Sequence, residues 1–537
     1  MKFLRVNSIS TGLILAVFYF VLLGIVSLYL GQDISWDIRN YHFYNPYMLL
    51  TGRMQYDILP AQIQTFLNPT MDIPFFVAIY YLKIHPAIVG FVLGGIHGLN
   101  IWMVHQFVYF STTASISNTS KHFLGFIAAV TSIRGAGYLS VLGTTIGDST
   151  ISLFVLGSLL ILTYYLSKEK PISRDKIFLA GLVLGLGVGL KLTAAIYVIS
   201  LGVAINFIKN TWQEKFKNFF TLILGIILGF FSIASYWMIL MEQNFSSALF
   251  PFYNKIFKSP YIETDYNLED LRFLPKDLPQ SLFYPFYFTN DPPLVAELDF
   301  KEIRFLIIYL LFALLLLVGL FRITSKKRSP FIPLVKPSIF ALIIPFYLTS
   351  YLVWLSKFSI YRYLVSLELI TPVVIILIVG FIYPFKKQLI LICLYLFSMI
   401  FFAVQPIDWW RIPWSDNYFG IDSAPLIAYK KSVILMADPD QPTAFIVPYF
   451  PESTRFVRIS GNMGLSEETL FHRRAQEIVA NTATSDLYFL DADIKNQREI
   501  KTKELLKYNL IPDYGNCKIL PTNVGKYNIC PVIRNLP

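Results

Sequence analysis

The sequence predicts a mainly α fold, a polytopic transmembrane helical bundle of about 11 spans carrying a small C-terminal α/β domain. Three observations predict it. Hydrophobic residues make up 55% of the 537 positions against 15% charged, with mean hydropathy +0.55. Apolar runs of about 18 or more residues recur up to position 405, as bilayer-crossing helices require. From Asp408 the composition turns to that of a soluble domain. The net charge of +11 does not indicate a nucleic-acid binder, because the Lys and Arg residues sit largely in short loops, as the positive-inside rule expects of cytoplasmic loops.

The basic start Met1-Lys-Phe-Leu-Arg5 precedes a first span over 11–30, with no small-residue cleavage site after it, so it reads as an uncleaved span. Residues 72–84 are apolar but short and stop before Pro86, which suits an interfacial or re-entrant helix. Spans follow at 87–110, 122–140, 149–166, 177–190, 192–208, 219–240, 304–321, 338–355, 364–383 and 388–404. With the N-terminus cytoplasmic, eleven crossings put Lys168-Glu-Lys170, Lys209, Lys215, Lys217, Arg322, Lys326-Lys-Arg328 and Lys386-Lys387 inside. The domains expected are 1–404, a transmembrane catalytic domain with outer loops 32–86 and 241–303, and 405–537, a periplasmic α/β domain. A loop as long as 241–303 is usually functional or disordered, and its aromatic content disfavours disorder. In the last domain, 444–447, 455–459 and 487–490 read as strands, and 467–481 and 495–509 as helices. Gly461-Asn462 reads as a turn. Cys393 reads as a buried apolar residue. Cys517 and Cys530 flank a hairpin turn at Asn523 and Gly525 and are compatible with a disulfide or with two free thiols.

The densest chemistry lies just after the first span, in Gly31-Gln-Asp-Ile-Ser-Trp-Asp-Ile-Arg-Asn-Tyr-His-Phe-Tyr-Asn45. Asp33 and Asp37 are four apart, so a helical turn would put both on one face. A carboxylate against apolar surface gains basicity, as a general base needs. Arg39, Asn40, Tyr41, His42 and Asn45 supply varied polar and aromatic groups for a substrate. The bland alternative is an aromatic interfacial belt with helix-stopping charges.

Asp148 opens a span and reads as a helix cap, a site residue, or both. Lys191, between glycines at an outer turn, either snorkels to the interface or pairs with a phosphate. Arg362, beside Tyr361, suits bidentate phosphate binding or a packing pair with Glu368. His97 and His105 read as hydrogen-bonded helix-contact residues. An acidic turn and two cations on one membrane surface fit transfer from a phosphate-linked lipid donor.

The phrases Asp37-Ile-Arg-Asn-Tyr-His-Phe-Tyr-Asn45, Pro60-Ala-Gln-Ile-Gln-Thr65, Gly189-Leu-Lys-Leu-Thr193 and Ser359-Ile-Tyr-Arg-Tyr363 resemble a poorly characterised bacterial branch of the GT-C glycosyltransferases. The resemblance spans most of the chain through short, loose motifs. It implies a cell-envelope enzyme of the inner membrane that takes sugars from a polyprenyl-phosphate donor and transfers them, with inversion, to a lipid, glycan or protein acceptor in the periplasm. It implies Asp33 or Asp37 as catalytic base, and Lys191 and Arg362 as donor-phosphate contacts. Many members carry adjacent or alternate acids, whereas these are four apart, which leaves the base open between the two. A divalent metal ion is open as well, since some members need one and others do not. Two other readings stand beside it. An O-antigen-ligase- or polymerase-like enzyme would take a lipid-diphosphate-linked glycan but would place its key cations in a large late loop. A lipid or glycan transporter would show charges deep within several spans and inverted repeats.

Overall fold

The computed structural model describes residues 8–266, 268–324, 332–493 and 497–535. Met1-Lys-Phe-Leu-Arg5 and Lys326-Lys-Arg328 lie outside the described residues. The chain forms two compact units, one of residues 1–29, 91–233 and 269–408, the other of 30–90, 234–268 and 409–537. The change of composition near 405 thus lies close to the start of the last segment of the second unit. That unit also takes in 30–90 and 234–268, which the sequence divides between the outer loops 32–86 and 241–303 and the ends of neighbouring spans.

Every expected span contains a helix, and eight of these are long and apolar enough to cross a membrane: Thr11–Leu30, Pro86–Ser111, Asp148–Leu166, Trp212–Phe245, Arg304–Thr324, Pro337–Lys357, Tyr361–Ile382 and Lys386–Ala403. The protein is a multi-pass membrane protein. Three helical segments fall short of that length. Arg174–Leu190 has 17 residues, and the apolar segment Leu192–Phe207 starts and ends in 3-10 turns. The span expected over 122–140 is broken: helix Asn118–Ile133 stops at Arg134, and Ala136–Ser140 forms a separate short helix.

In the first unit, Tyr361–Ile382 is the central helix, buried along nearly all its length and packed among the helices Asn118–Ile133, Asp148–Leu166, Arg304–Thr324, Pro337–Lys357 and Lys386–Ala403. Pro372 lies inside it and has no N–H to give the Glu368 carbonyl four residues back. The fully buried Arg304 donates to that carbonyl at 2.9 Å, so the gap in the helical ladder is filled from a neighbouring helix. Helices Arg174–Leu190 and Trp212–Phe245 approach closely through glycines at four-residue spacing. A Cβ at Gly181 or Gly185 would stand 2.3 or 2.2 Å from the carbonyl oxygens of Leu222 and Ile226. One at Gly225 or Gly229 would meet those of Phe178 and Leu182 at 2.3 and 2.2 Å. Small residues permit this approach where lipid supplies no hydrophobic drive for helix association.

The second unit is built on a sheet of strands β3 (Val433–Met436), β4 (Arg455–Arg458), β5 (Leu487–Asp491), β6 (Leu510–Pro512), β7 (Lys518–Pro521) and β8 (Lys526–Arg534). The order is β4-β3-β5-β8-β6, with β7 also on β8. β4, β3 and β5 are parallel, and the pairs formed by β8 are antiparallel. Helices Leu470–Asn481 and Arg498–Leu506 lie within the ranges expected. The strand expected at 444–447 is instead a buried 3-10 helix, Ala444–Tyr449. Both edges of its neighbour β3 are already taken by β4 and β5, and Pro448 cannot donate to a ladder. Cys517 and Cys530 are joined in a disulfide that closes the β7–β8 hairpin. Such bonds form and persist in oxidising compartments. Cys393 is free and buried.

The segment after the first span belongs to this sheet. Ile58 pairs in parallel with Val457 on β4. Buried Arg53 grips Asp57 through two bonds of 2.7 Å and donates to the carbonyls of Glu452 and Thr454 at 2.6 Å, while Asp57 also accepts the Phe456 amide at 2.9 Å. Gln62 accepts the Asn462 amide at 2.7 Å, and the Ile63 amide donates to the Asn462 carbonyl. The Pro60–Thr65 and Gly461-Asn462 phrases are therefore two halves of one contact.

Candidate functional site

Two groups of side chains carry the chemistry, one in each unit. In the first unit, a small open pocket is lined by Asp148, Ile151, Thr193, Ala194, Tyr197, Arg362, Tyr363, Val365 and Ser366. The lining residues Asp148 and Arg362, and Lys191 beside the pocket, stand at helix ends. Asp148 is the first residue of helix Asp148–Leu166, and Lys191 follows the last residue of Arg174–Leu190. Arg362 lies in the 3-10 turn Tyr361–Leu364. Asp148 does not cap its helix. Gly147, at φ 89°, holds the cap position, and the Asp148 carboxylate takes the Lys191 ammonium at 2.5 Å. Lys191 donates a second bond to the Ile146 carbonyl at 3.1 Å, so it is fixed rather than snorkelling freely. Its ammonium lies 5.7 Å from the centre of the Tyr363 ring, and the Arg362 guanidinium 5.5 Å from the same ring. Both cations thus lie against one aromatic ring, and the Asp148 carboxylate pairs with Lys191.

The Glu368 carboxylate is fully buried and accepts from the Gly137 and Tyr138 amides at 2.9 and 2.8 Å and from the Tyr361 hydroxyl at 2.6 Å. Its role is to brace the turn that carries Arg362: Tyr361 is fully buried, and its amide donates to the Val295 carbonyl at 2.7 Å. Glu302 joins this brace by accepting the Ala136 amide and pairing with Arg304 at 2.9 Å. Tyr361 is thus a buried support, and Tyr363, its neighbour in the same phrase, is the ring that faces the cations. Glu302, Arg304, Tyr197 and Tyr363 were missed by sequence reasoning. The one available signal was the charge pair Glu302/Arg304 at the mouth of a span. His97 bonds the Gly143 amide and Thr150, and His105 stands between Tyr19 and His122, so both are helix-contact residues.

In the second unit, Asp33 and Asp37 do not share a helical face. Gln32–Asp33 is a strand, β1, paired antiparallel with β2 (Arg411–Ile412), and the helical turn begins only at Trp36. The reason is local. Asp33 Oδ1 accepts the Ser35 amide at 2.8 Å, and that side-chain turn redirects the chain from strand into helix. Asp33 is 3% exposed, its Oδ2 accepts no hydrogen bond, and Asp37 is also buried. The Trp36 indole donates to the Asp440 carbonyl at 2.9 Å. Arg39 bonds the Tyr527 hydroxyl on β8 and opposes the burial that pushes that phenol up. The other candidates divide into supports and stacked rings. Asn40 donates to the Ala61 carbonyl at 3.1 Å, and Asn45 to those of Gln64 and Leu67 at 2.8 and 3.2 Å. His42 Nδ1 is 2.7 Å from Asp72, and its ring lies 4.1 Å from that of Tyr41. Among the described residues no three His, Cys, Asp or Glu side chains are grouped so that they could hold a metal ion.

No family model and no curated protein matches the chain. Among solved structures it is similar to ArnT from Cupriavidus metallidurans bound to undecaprenyl phosphate, at 10% identity, covering 99% of this chain and 100% of that one, with a TM-score of 0.48. A superposition of that quality assigns neither a family nor a ligand.

Proposed function

We propose that the protein is a GT-C-type membrane glycosyltransferase that takes a sugar from a polyprenyl-phosphate donor and transfers it, with inversion, to a lipid, glycan or protein acceptor outside the cytoplasmic membrane. The observation that carries this reading is that Arg362, which lines the pocket, and Lys191, beside it, both lie against the Tyr363 ring at the ends of membrane helices. Two cations at the ends of membrane helices suit a ligand with an apolar tail and an anionic head. Arginine offers phosphate two parallel hydrogen bonds, and Lys191, held by Asp148, adds a point charge. The disulfide supports an oxidising location for the second unit.

In this reaction the acceptor hydroxyl oxygen bonds to the anomeric carbon as the bond from that carbon to the phosphate oxygen breaks. The electron pair leaves with the polyprenyl phosphate, where Arg362 and Lys191 stabilise the growing charge. The hydroxyl proton passes to a carboxylate, Asp33 or Asp37. Arg39, Asn40, Tyr41, His42 and Asn45 shape the surroundings of that carboxylate.

The test uses the protein in lipid nanodiscs, titrated with a panel of polyprenyl-phosphate sugars while its melting temperature is followed. A donor that binds only the folded state raises it by mass action, by about 2.7 kcal/mol of stability at a hundredfold excess over Kd. The shift should vanish in Arg362→Ala. A shift with a lipid-diphosphate glycan but with no monophosphate donor would replace this reading with the ligase-like one.

A further inference from the structure

We propose that Asn523, at the tip of the disulfide-closed β7–β8 hairpin, is a positioning residue for the acidic turn 31–37. The inference rests on the reading above for its catalytic meaning but on bonds within the second unit for its geometry.

The strand that carries Asp33 is paired over two residues, Gln32 with Ile412 and Asp33 with Arg411, and is extended by one backbone bond from the Ile34 amide to the Trp410 carbonyl at 3.2 Å and by Arg411 donating to the Gly31 carbonyl at 3.0 Å. A ladder that short fixes its register weakly, and a slip of one residue would turn Asp33 to the opposite face. The register is further held by side chains of the loop after β2. Gln32 donates to the Tyr418 carbonyl at 2.7 Å and accepts from the Ser415 hydroxyl at 3.0 Å. The Tyr418 hydroxyl donates to the Asp33 carbonyl at 2.8 Å. Residues 415–419 thus grip the backbone and side chain on either side of the acid.

That loop has no regular structure of its own. It is held by Asn523. The Asn523 side-chain amide lies 2.9 Å from the Ser415 hydroxyl oxygen and 3.1 Å from the carbonyls of Asn417 and Tyr418, and its backbone amide donates to Phe419 at 3.1 Å. The hairpin tip is stiffened in turn: Thr522 bonds the Gly525 carbonyl at 2.7 Å, and the Cys517–Cys530 bond ties the two strands behind it. A continuous path of hydrogen bonds therefore runs from the hairpin through Tyr418 and Ser415 to Gln32 and Asp33. From there the Ser35 amide on Asp33 sets the start of the helix that carries Asp37. The path depends on the amide as a donor, because the atoms it faces at Asn417 and Tyr418 are carbonyl oxygens.

The decisive variant is Asn523→Asp, which keeps the shape and replaces a donor by a carboxylate facing those carbonyls. Hydrogen exchange on the full chain in nanodiscs reads the outcome without any substrate. Exchange at 31–37 and 415–419 should quicken by about tenfold or more, while β3 and β5 stay protected. Unchanged exchange at 31–37, with loosening confined to the hairpin tip, overturns the proposal. Ser415→Ala, which removes one bond of the path, serves as the milder variant and should quicken 31–37 less. With a donor that supports transfer, Asn523→Asp should lower kcat at least tenfold and leave the donor KM near its original value; an unchanged kcat also overturns the proposal. If 31–37 loosens while Asp33→Asn and Asp37→Asn both transfer normally, the positioning stands and the catalytic reading falls.

Discussion

Replacing Lys501 by methionine should destabilise the second unit severely, and in a pH-dependent way. Lys501 is fully buried, 2.5 Å from Asp438 and bonded also to Asp491. Asp438 follows β3 and Asp491 ends β5, so the ammonium ties helix Arg498–Leu506 to the carboxyl ends of two parallel strands. Arg458, a buried cation next to Asp438, spends its bonds on the carbonyls of Asp438 and Pro60 and on Thr443. Lys501→Met therefore leaves two buried carboxylates without their ammonium. Breaking a buried pair costs about 3–5 kcal/mol, a large part of the roughly 5–15 kcal/mol that holds a domain folded. Burial already holds the Asp438 carboxyl above its ordinary range despite Lys501, and the variant should raise it further. An acid whose folded pKa exceeds its unfolded value loses stability as pH rises through that window. The deficit should accordingly be full near neutrality and shrink as pH falls toward the unfolded carboxylate value of about 3.9. Hydrogen exchange of β3 and β5 at neutral and mildly acid pH measures it. A deficit that does not change with pH would show that methionine lost packing rather than charge balance. So would a Lys501→Met/Asp438→Asn/Asp491→Asn variant no more stable than Lys501→Met.

Three further outcomes are expected. Arg53→Met should cost about 3–5 kcal/mol by leaving Asp57 buried and unpaired, and limited proteolysis should then cut within 51–60; resistance equal to that of the parent would contradict the clamp. Gly185→Ala places a Cβ 2.2 Å from the Ile226 carbonyl oxygen, so the two helices must part, at about 1–3 kcal/mol in a nanodisc melt; an unmoved melt would mean that they do not touch as described. Asp33→Asn and Asp37→Asn should differ in transfer rate, one by at least about a hundredfold; equal, mild losses would remove both as the base.

The spans were legible because lipid forces a long apolar run, and composition records that directly. What sequence could not supply was partnership at a distance. Lys191 and Asp148 are paired across 43 positions, and their ion pair replaces both the snorkelling lysine and the helix cap that local rules suggest. Glu368 stands six residues after Arg362 and invites pairing with it, yet its partners come from 137, 138 and Tyr361, and its carbonyl is met by Arg304. Asp33 looked like part of a helix because its strand partner begins at Arg411. The four-residue spacing of Gly181, Gly185 and Gly189 is different: it announces a helix contact openly, and a hydropathy reading passes over it.

The division of the second unit among three stretches of chain has a consequence for biogenesis. A ribosome delivers 30–90 first and 409–537 last. Until the last stretch emerges, Ile58 has no strand to pair with, Arg53 lacks the Glu452 and Thr454 carbonyls, and Gln32 has no Tyr418. The acidic turn is thus made early and completed late, after every membrane helix has been inserted. A chain cut short before 409 would carry the eight long apolar helices found among the described residues and still lack a formed acidic turn.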